Sequence, residues 1–239
     1  MAQIAIVGTA PSSRLLAPYA DPHWQIWGVG PGNLQPESKI PRCDVWFELH
    51  PFAAIAKEPS YKHYLGELTK IPKVYLQKQQ PSLPNSVEYP LQRMLDRYGP
   101  YFFTSSFSYM IALAIEELAG LDDPEKRLGF WGVDMSANEE YGSQRPGGHF
   151  FFMEARKAGI DVVCPAESDM LQPPGLYGYV ENDPWFRKTM ARRREYEHAL
   201  GSAMTERRVA EEKILRLQGN LDNMQWNLNT WAGRRQTEK

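Results

Sequence analysis

Two stretches of the sequence bring together residue types that bind phosphate and move protons. The first, "FTSSFSYM" at 103–110, places the hydroxyl groups of Thr104, Ser105 and Ser106 at the expected start of a helix. The unpaired N–H groups and the dipole at a helix start favour an anion such as a phosphate ester. Because the same residue types are also ordinary helix caps, this stretch by itself predicts either a cap or an anion site.

The second stretch, "GFWGVDMSANEEYGSQRPGGH" at 129–149, is typical of an apolar strand followed by a long polar loop. The strand is expected to end at Gly132 and Asp134, and the loop carries Tyr141 and His149. A histidine can take the proton of an alcohol near neutral pH, and a tyrosine hydroxyl can hydrogen-bond a departing phosphate oxygen. The stretch therefore predicts group transfer, against the alternative of a surface histidine and a packing tyrosine.

One further histidine is a secondary candidate for the same cleft. His50 follows the apolar run "VWFEL" at 45–49, so it could lie at the edge of the sheet where that run ends. The other three histidines stand in no comparable surroundings. They are His23, His63 and His198.

Six apolar runs supply the strands that would position these residues. Each ends at glycine, proline or a polar residue, and several are separated by stretches able to form helices, which predicts an α/β fold with a mostly parallel sheet. The first run, at 4–7, is too short for a helix and too apolar to face water, so we expect a central strand. It leads into the turn "GTAPSS" at 8–13, on the edge where such sheets bind ligands. The runs are "IAIVG", "WQIWGVG", "CDVWFEL", "KVYL", "RLGFWGVD" and "IDVVCP".

Two helices are expected beside these strands. The clearer one begins in the Ser/Thr cluster at 104–106, carries apolar Ile111, Ile115 and Leu118 at helical spacing, and ends at Gly120. A second helix is expected at about 150–157, before the strand "IDVVCP". The segment 51–100 is rich in proline, tyrosine, lysine and glutamine and predicts an insert or a lid.

Size and composition indicate a folded cytoplasmic protein. The chain has 239 residues, 42% of them apolar, which is enough for one sizeable domain and an appendage. The sequence predicts neither a signal peptide nor a membrane-spanning segment. Cys43 and Cys164 lie far apart without a Cys-x-x-Cys pattern, which predicts reduced thiols and no zinc site.

The C-terminal part differs in character from the rest. We expect one domain at 1–172, a proline- and glycine-rich linker at 173–185 and a basic helical tail at 186–239. Residues 187–239 carry 12 Lys and Arg against 7 Asp and Glu, which leaves the remainder acidic. A stripe of mostly apolar residues repeats there at alternating steps of four and three, as in a coiled coil. Its members are Tyr196, Leu200, Ala203, Arg207, Ala210, Ile214, Leu217, Leu221, Met224, Leu228 and Trp231.

Three uses of this helical tail are open. It could pack on its own domain, form a homo-oligomer through the stripe, or bind a partner protein or nucleic acid. A basic segment also attracts DNA, in which case binding would be sensitive to salt.

The order of these features resembles the bacterial sialyltransferases of the Campylobacter lipooligosaccharide type and the related motility-associated glycosyltransferases. Those enzymes have a Rossmann-like domain that opens with a strand and a G-x-G-P-S-L-like turn, here "VGTAPSS". They continue with a T-S-G-x-Y-M helix start, a strand ending G-I-D, a loop with tyrosines, a catalytic histidine, and a strand ending C-P. Here the corresponding stretches are "TSSFSYM", "GVD", "EEYGSQRPGGH" and "VVCP", within residues 4–170.

The resemblance implies a role for each matching residue. Tyr141 would assist the departure of the nucleotide phosphate, His149 would be the general base on the acceptor hydroxyl, and Asp134 would lie at the floor of the site. The residues that would bind the donor are Gly8, Thr9, Ala10, Pro11, Ser12, Gly30, Asn33, Thr104, Ser105, Ser106, Gly132 and Ser136.

The chain departs from the family pattern at three places. Ser136 replaces the first loop tyrosine, the asparagine of the opening turn is missing, and Gly30, with Asn33 close by, stands where the family has an asparagine after the second strand. The donor therefore need not be cytidine monophosphate linked to sialic acid.

Together these observations predict a glycosyltransferase that uses a nucleotide sugar as co-substrate. Because "LDD" at 121–123 lacks the Asp-x-Asp spacing, we expect no metal and no further cofactor. The acceptor would be a glycan or a hydroxylated DNA base. The alternatives are a non-catalytic nucleotide-binding scaffold that oligomerises through its C-terminal helix, and another Rossmann-like transferase or hydrolase acting on nucleosides.

Overall fold

The computed structural model describes residues 3–58, 61–134, 139–168, 170–171 and 184–232, with only the backbone for 139–141, 184–188 and 231–232. The chain forms two compact units, 1–173 and 174–239. The first unit contains the sheet and the second contains one long helix.

Seven parallel strands form a single sheet in the order β5-β4-β3-β2-β1-β6-β7. Six of them are the strands that the apolar runs predict, and only the short β5 is an addition. The sheet and its flanking helices confirm the expected α/β Rossmann-like class. The strands are β1 Gln3–Val7, β2 Trp24–Val29, β3 Val45–Glu48, β4 Lys73–Leu76, β5 Ser86–Glu88, β6 Arg127–Trp131 and β7 Asp161–Val163.

Strand β1 lies inside the sheet between β2 and β6, and both of its faces are buried. Ile4 and Ile6 belong to one apolar cluster, whereas Ala5 and Val7 belong to another on the opposite face. The strand order changes direction beside β1, since β2 to β5 follow on one side and β6 and β7 on the other. In open α/β sheets the crevice at such a point is the usual ligand site.

Residues 51–100, for which the sequence suggested an insert or a lid, contribute to the sheet itself. They form helices α1 Phe52–Lys57, α2 Lys62–Leu68 and α3 Leu91–Tyr98, together with strands β4 and β5. Tyr64 and Leu68 of α2 are buried with Trp46 of β3. This packing fixes α2 against the face of the sheet that lies away from Ile4 and Ile6.

Helix α4, Ser106–Ala119, is the helix predicted from the Ser/Thr cluster. It begins after Ser105, whose side chain accepts a hydrogen bond from the Ser108 N–H, and its C-cap is Gly120. Ile111, Ile115 and Leu118 are buried. Because the helix is apolar on nearly all sides, it is enclosed between the sheet and its neighbours.

Helix α5, Glu139–Lys157, corrects the sequence-based interpretation. The predicted long polar loop was wrong, and so was a helix start at residue 150, because residues 139–149 are helical and Pro146 lies inside the helix. Local propensity opposes a helix through Pro146, Gly147 and Gly148. The close contact of α5 with α4, described below, compensates for this propensity.

The second unit contains helix α6, Pro184–Asn227, followed by a π-helical turn, Leu228–Ala232. Within the described part of α6, the predicted stripe is exposed in the single chain: Leu200 by 62%, Ile214 by 53% and Leu221 by 65%. None of the helices in the described ranges is long and apolar enough to cross a membrane.

Candidate active site

A cavity of about 520 Å³ lies beyond the carboxyl ends of β1, β2 and β3. This volume is within the usual range for small-molecule sites. Thr9 follows β1, Gly30 follows β2 and His50 follows β3, so three parallel strands deliver residues to one wall. The described residues that line the cavity are Thr9, Val29, Gly30, His50, Thr104, Ser105, Ser106, Phe107 and Gln144.

The N-terminus of α4 forms another part of the cavity wall. The first N–H groups of any α-helix have no acceptor within the helix, and they carry the positive end of its dipole. Ser105 caps the helix through its side chain, and the hydroxyl groups of Thr104 and Ser106 also line the cavity. This wall therefore presents hydrogen-bond donors and partial positive charge to an anion such as a phosphate.

Two glycines allow the turns after β1 and β6 to touch. A Cβ built on Gly8 would lie 2.3 Å from the Gly132 carbonyl oxygen, and one built on Gly132 would lie 2.5 Å from the Gly8 oxygen. Gly132 also has a φ of +64°, which disfavours other residues. Backbone bonds from Gly8 N to the Trp131 oxygen (2.8 Å) and from Ala10 N to the Gly132 oxygen (2.9 Å) join the two turns.

Polar side chains in the same region hold the strand ends together. The Asn33 amide donates to the carbonyl oxygens of Val7, Gly8 and Val29 at 3.0–3.2 Å. Asn33 is fully buried and is absent from the described lining of the cavity. In this arrangement Asn33 positions the turns after β1 and β2.

Serines in the first turn make similar links to the end of β6. Ser12 Oγ donates to Asp134 Oδ2 at 2.6 Å. Buried Ser13, which the sequence analysis did not single out, accepts from Gly132 N at 2.8 Å. Asp134 therefore couples the two turns, and its predicted position at the floor of the donor site stays a prediction.

Of the residues expected to bind the donor, five line the cavity: Thr9, Gly30, Thr104, Ser105 and Ser106. Gly8, Ala10, Ser12, Asn33, Gly132 and Asp134 take part in the contacts between the turns. Pro11 is exposed. Ser136 lies outside the described residues, as does the side chain of Tyr141.

His149 lies on α5, with its side chain exposed. Its Nε2 lies 2.8 Å from the Met170 carbonyl oxygen, to which it donates in the tautomer that carries the ring proton on Nε2. Arg145 Nε also lies 3.4 Å from this nitrogen. The described lining of the cavity does not include His149, so the structure does not bring it together there with Ser105.

Helix α5 approaches α4 closely at Gly147. A Cβ at this position would lie 2.4 Å from the Phe102 carbonyl oxygen and 2.7 Å from the hydroxyl oxygens of Thr104 and Ser108. Because Thr104 lines the cavity, this contact fixes one cavity wall against α5. The sequence carries no local signal for this contact, since a glycine pair inside a polar stretch is typical of a loop.

Replacing Gly147 with alanine should therefore destabilise the first unit. We expect a loss of at least about 1 kcal/mol, because the added methyl group meets backbone and hydroxyl oxygens. The matched control is Gly142→Ala on the same helix, where a Cβ meets nothing within 4 Å and a gain of roughly 0.5–1 kcal/mol is expected. Thermal melts of both variants check this pair, and equal stability of the two would contradict the described packing.

A buried carboxylate orients His50 at the edge of the cavity. Glu48, only 4% exposed, is the last residue of β3. Its Oε1 lies 2.6 Å from His50 Nδ1 and accepts the His50 backbone N–H at 3.0 Å. Its Oε2 accepts the Tyr64 hydroxyl at 2.7 Å, and the Tyr64 oxygen in turn accepts the Trp46 indole N–H at 2.8 Å.

Burial, followed by the charge of Glu48, raises the pKa of Tyr64 far above its usual value. The phenol therefore stays protonated and continues to donate to the carboxylate. The sequence signal for the Glu48–His50 contact is an acid at the end of an apolar strand with a histidine two residues later, whereas Tyr64 lies far along the chain from both.

A second cavity of about 400 Å³ adjoins the same histidine. Its walls are mostly apolar, with the carboxylates of Glu48 and Glu58. The described lining residues are Pro31, Glu48, His50, Pro51, Ala54, Ile55, Glu58 and Tyr61. His50 contributes to the lining of both cavities.

Among the described residues, no group of three His, Cys, Asp or Glu could hold a metal ion. Cys43 takes part in no disulfide bond. The expected lack of a metal requirement stays a prediction.

A comparison of folds finds solved sialyltransferase structures similar to this chain. One is the Campylobacter jejuni sialyltransferase CstII in complex with cytidine-5'-monophosphate, which is 17% identical, with a TM-score of 0.45, over 70% of this chain and 81% of that chain. The same enzyme in complex with CMP-3FNeuAc is 16% identical, with a TM-score of 0.45, over 69% of this chain and 80% of that one.

A third structure is the sialyltransferase CST-II with a trisaccharide acceptor and CMP, at 15% identity and a TM-score of 0.44, over 68% of this chain and 80% of that one. These are enzymes of the type that the sequence motifs resemble. A scan against models of known families finds no match, and neither does a search of curated proteins.

Proposed function

We propose that this chain is a glycosyltransferase that moves a sugar from a nucleotide-sugar donor to an acceptor hydroxyl. The observation that carries the proposal is the 520 Å³ cavity in which the hydroxyl-rich N-terminus of α4 faces the carboxyl ends of β1, β2 and β3. A parallel sheet binds nucleotides at this edge, and a helix N-terminus binds their phosphates.

Such a cavity suits the charge changes of glycosyl transfer. Positive charge develops on the anomeric carbon of the sugar in the transition state, as in glycoside hydrolysis, while negative charge grows on the leaving phosphate. Fixed N–H groups of α4 and the hydroxyl of Ser106 would hydrogen-bond that phosphate. The lining therefore favours departure of the nucleotide.

Two histidines compete for the role of general base in this proposal. The family resemblance assigns it to His149, with Tyr141 assisting the leaving phosphate. Against this, the Nε2 of His149 is bonded to the Met170 carbonyl, whereas His50 lines the cavity. A base must lie within hydrogen-bond reach of the proton that it removes, so substitutions of the two histidines have to be compared.

The alternative function is a nucleotide-binding scaffold without catalysis. The exposed stripe of α6 favours it, because Leu200, Ile214 and Leu221 would be covered in a homo-oligomer. Self-association through α6, a DNA acceptor and metal independence all stay predictions.

A thermal-shift screen tests the proposal. The panel contains the mono- and diphosphates of cytidine, uridine, adenosine and guanosine, with CMP-sialic acid and UDP-glucose as sugar donors. A bound nucleotide at a hundred times its Kd stabilises by about 2.7 kcal/mol, which raises Tm by roughly 5–10 °C in a domain of this size.

If the chain binds a nucleotide and also releases that nucleotide from its sugar donor, the result supports a transferase. Binding of a nucleotide without release supports the scaffold. A panel in which no member raises Tm would contradict both.

A further inference from the structure

A largely buried network of polar side chains ends at His50, which lines both cavities. It runs from the Trp46 indole through the Tyr64 hydroxyl to the Glu48 carboxylate, and from there to the imidazole of His50. Three of its members, Trp46, Tyr64 and Glu48, are buried, whereas the His50 side chain is 73% exposed. A buried chain of hydrogen bonds thus holds one exposed imidazole in a defined orientation.

The network also assigns the ring proton of His50. An ionised carboxylate only accepts hydrogen bonds, so the nitrogen 2.6 Å from Glu48, Nδ1, carries the proton. The other nitrogen, Nε2, is then the one that can accept a proton from a substrate. In His149, by contrast, Nε2 lies against the Met170 carbonyl oxygen, so Nδ1 is the ring nitrogen that remains to accept a proton when Nε2 donates there.

The second cavity has the chemistry of a site for a neutral, hydroxyl-bearing compound. Tyr61 offers an aromatic surface of the kind that packs on the C–H face of a sugar ring. The negative charges of Glu48 and Glu58 repel anions. The described lining contains no lysine or arginine, which a phosphodiester chain would require.

We propose that His50, oriented by Glu48, is the general base of the transfer and that the second cavity holds the acceptor, a neutral polyhydroxylated molecule such as a sugar. This inference rests on the proposed function. It places the donor on one side of the imidazole and the acceptor on the other.

The acceptor O–H bond breaks and its proton passes to Nε2 of His50, while the acceptor oxygen forms a bond to the anomeric carbon. The bond from that carbon to the nucleotide phosphate breaks, and its electron pair leaves with the phosphate oxygen. Because the His50 side chain is 73% exposed, the imidazolium then returns its proton to water.

The first test replaces His50 with asparagine in the full chain. The asparagine amide can still donate to Glu48, but it has no nitrogen that accepts a proton. We measure nucleotide release from CMP-sialic acid and UDP-glucose, with lactose as the acceptor. Release should fall at least about a hundredfold, while the Tm rise caused by the nucleotide is kept.

The second test places a large side chain in the acceptor cavity by substituting an exposed residue of its lining. Ala54→Trp on α1 should raise the KM for lactose at least about tenfold and leave the nucleotide-induced Tm rise unchanged. Ala53→Trp is the matched control, because Ala53 is exposed on the same helix and is absent from the described lining. It should keep the wild-type KM.

The outcomes of these experiments distinguish a failure of this inference from a failure of the proposed function. Loss of release in His50→Asn with nucleotide binding retained supports the inference. Wild-type release rates in His50→Asn overturn it and leave the glycosyltransferase standing, as does a larger loss in His149→Asn than in His50→Asn. Failure of the wild-type chain to bind any nucleotide would instead overturn the proposed function, and the inference with it.

Discussion

Replacing Ser106 with aspartate is expected to weaken nucleotide binding at least about a hundredfold, while the fold stays as stable as before or becomes slightly more stable. Ser106 is the first residue of α4 and lines the donor cavity. The first turn of this helix contains no acidic residue. A carboxylate there interacts favourably with the helix dipole, by about 0.3–1 kcal/mol.

The same carboxylate opposes a phosphate in the cavity. Two like charges about 4 Å apart near a protein surface repel by roughly 4 kcal/mol, so affinity should fall at least about a hundredfold. The matched control is Ser106→Asn, which has the shape of aspartate without its charge and should keep most of the binding. Calorimetric titration measures the affinities, and unchanged affinity in Ser106→Asp would contradict an anion site at α4.

Replacing Gly132 with alanine is expected to be the most destabilising single-methyl change near the site. The added Cβ would lie 2.5 Å from the Gly8 carbonyl oxygen and 2.7 Å from Arg14 Cβ. The backbone φ of +64° adds strain of about 1–2 kcal/mol for a residue other than glycine. With overpacking of about 1–3 kcal/mol, the loss should reach roughly 2–5 kcal/mol.

Gly120→Ala is the control for this prediction. Gly120 has a φ of −73°, and its nearest atom to a built Cβ is 3.6 Å away, an ordinary contact. Chemical denaturation of both variants should show a clear loss for Gly132→Ala and almost none for Gly120→Ala. If the two lose equally little, the turns after β1 and β6 do not approach as described.

The sheet was largely predictable from the sequence because its strands are buried on both faces. Such strands are short, continuous apolar runs bounded by glycine, proline or polar residues, as in β1 and β3. Strand β5, Ser86–Glu88, escaped detection because it has three residues and a single apolar one. Helix α4 was predicted because its cap and its apolar spacing agree.

Helix α5 was not predictable because its stability depends on tertiary contacts. Pro146 and the following two glycines are typical of a loop when only neighbours in the sequence are considered. In the structure, Gly147 fits against Thr104 and Ser108, where a side chain would collide. The predicted loop therefore becomes a helix, and His149 takes a position that the loop interpretation did not anticipate.

The candidate site was predictable only where its residues carry local sequence signals. The turn after β1 and the start of α4 carry local signals, and Thr9 and Ser105, which those signals singled out, line the cavity. The role of Glu48 depends on Tyr64, which is 16 residues away on α2. Single-sequence reasoning has no signal for such a partner, so His50 was only a secondary candidate.

Hydrogen–deuterium exchange in the presence of the nucleotide that raises Tm most is the most direct test of the proposed donor cavity. The prediction is slower exchange in peptides covering residues 8–13 and 103–108, where the first turn and the start of α4 face the cavity. Peptides of α6, from 189 to 230, should be unchanged. Protection confined to other peptides, or no protection at all, would contradict a nucleotide site at the N-terminus of α4.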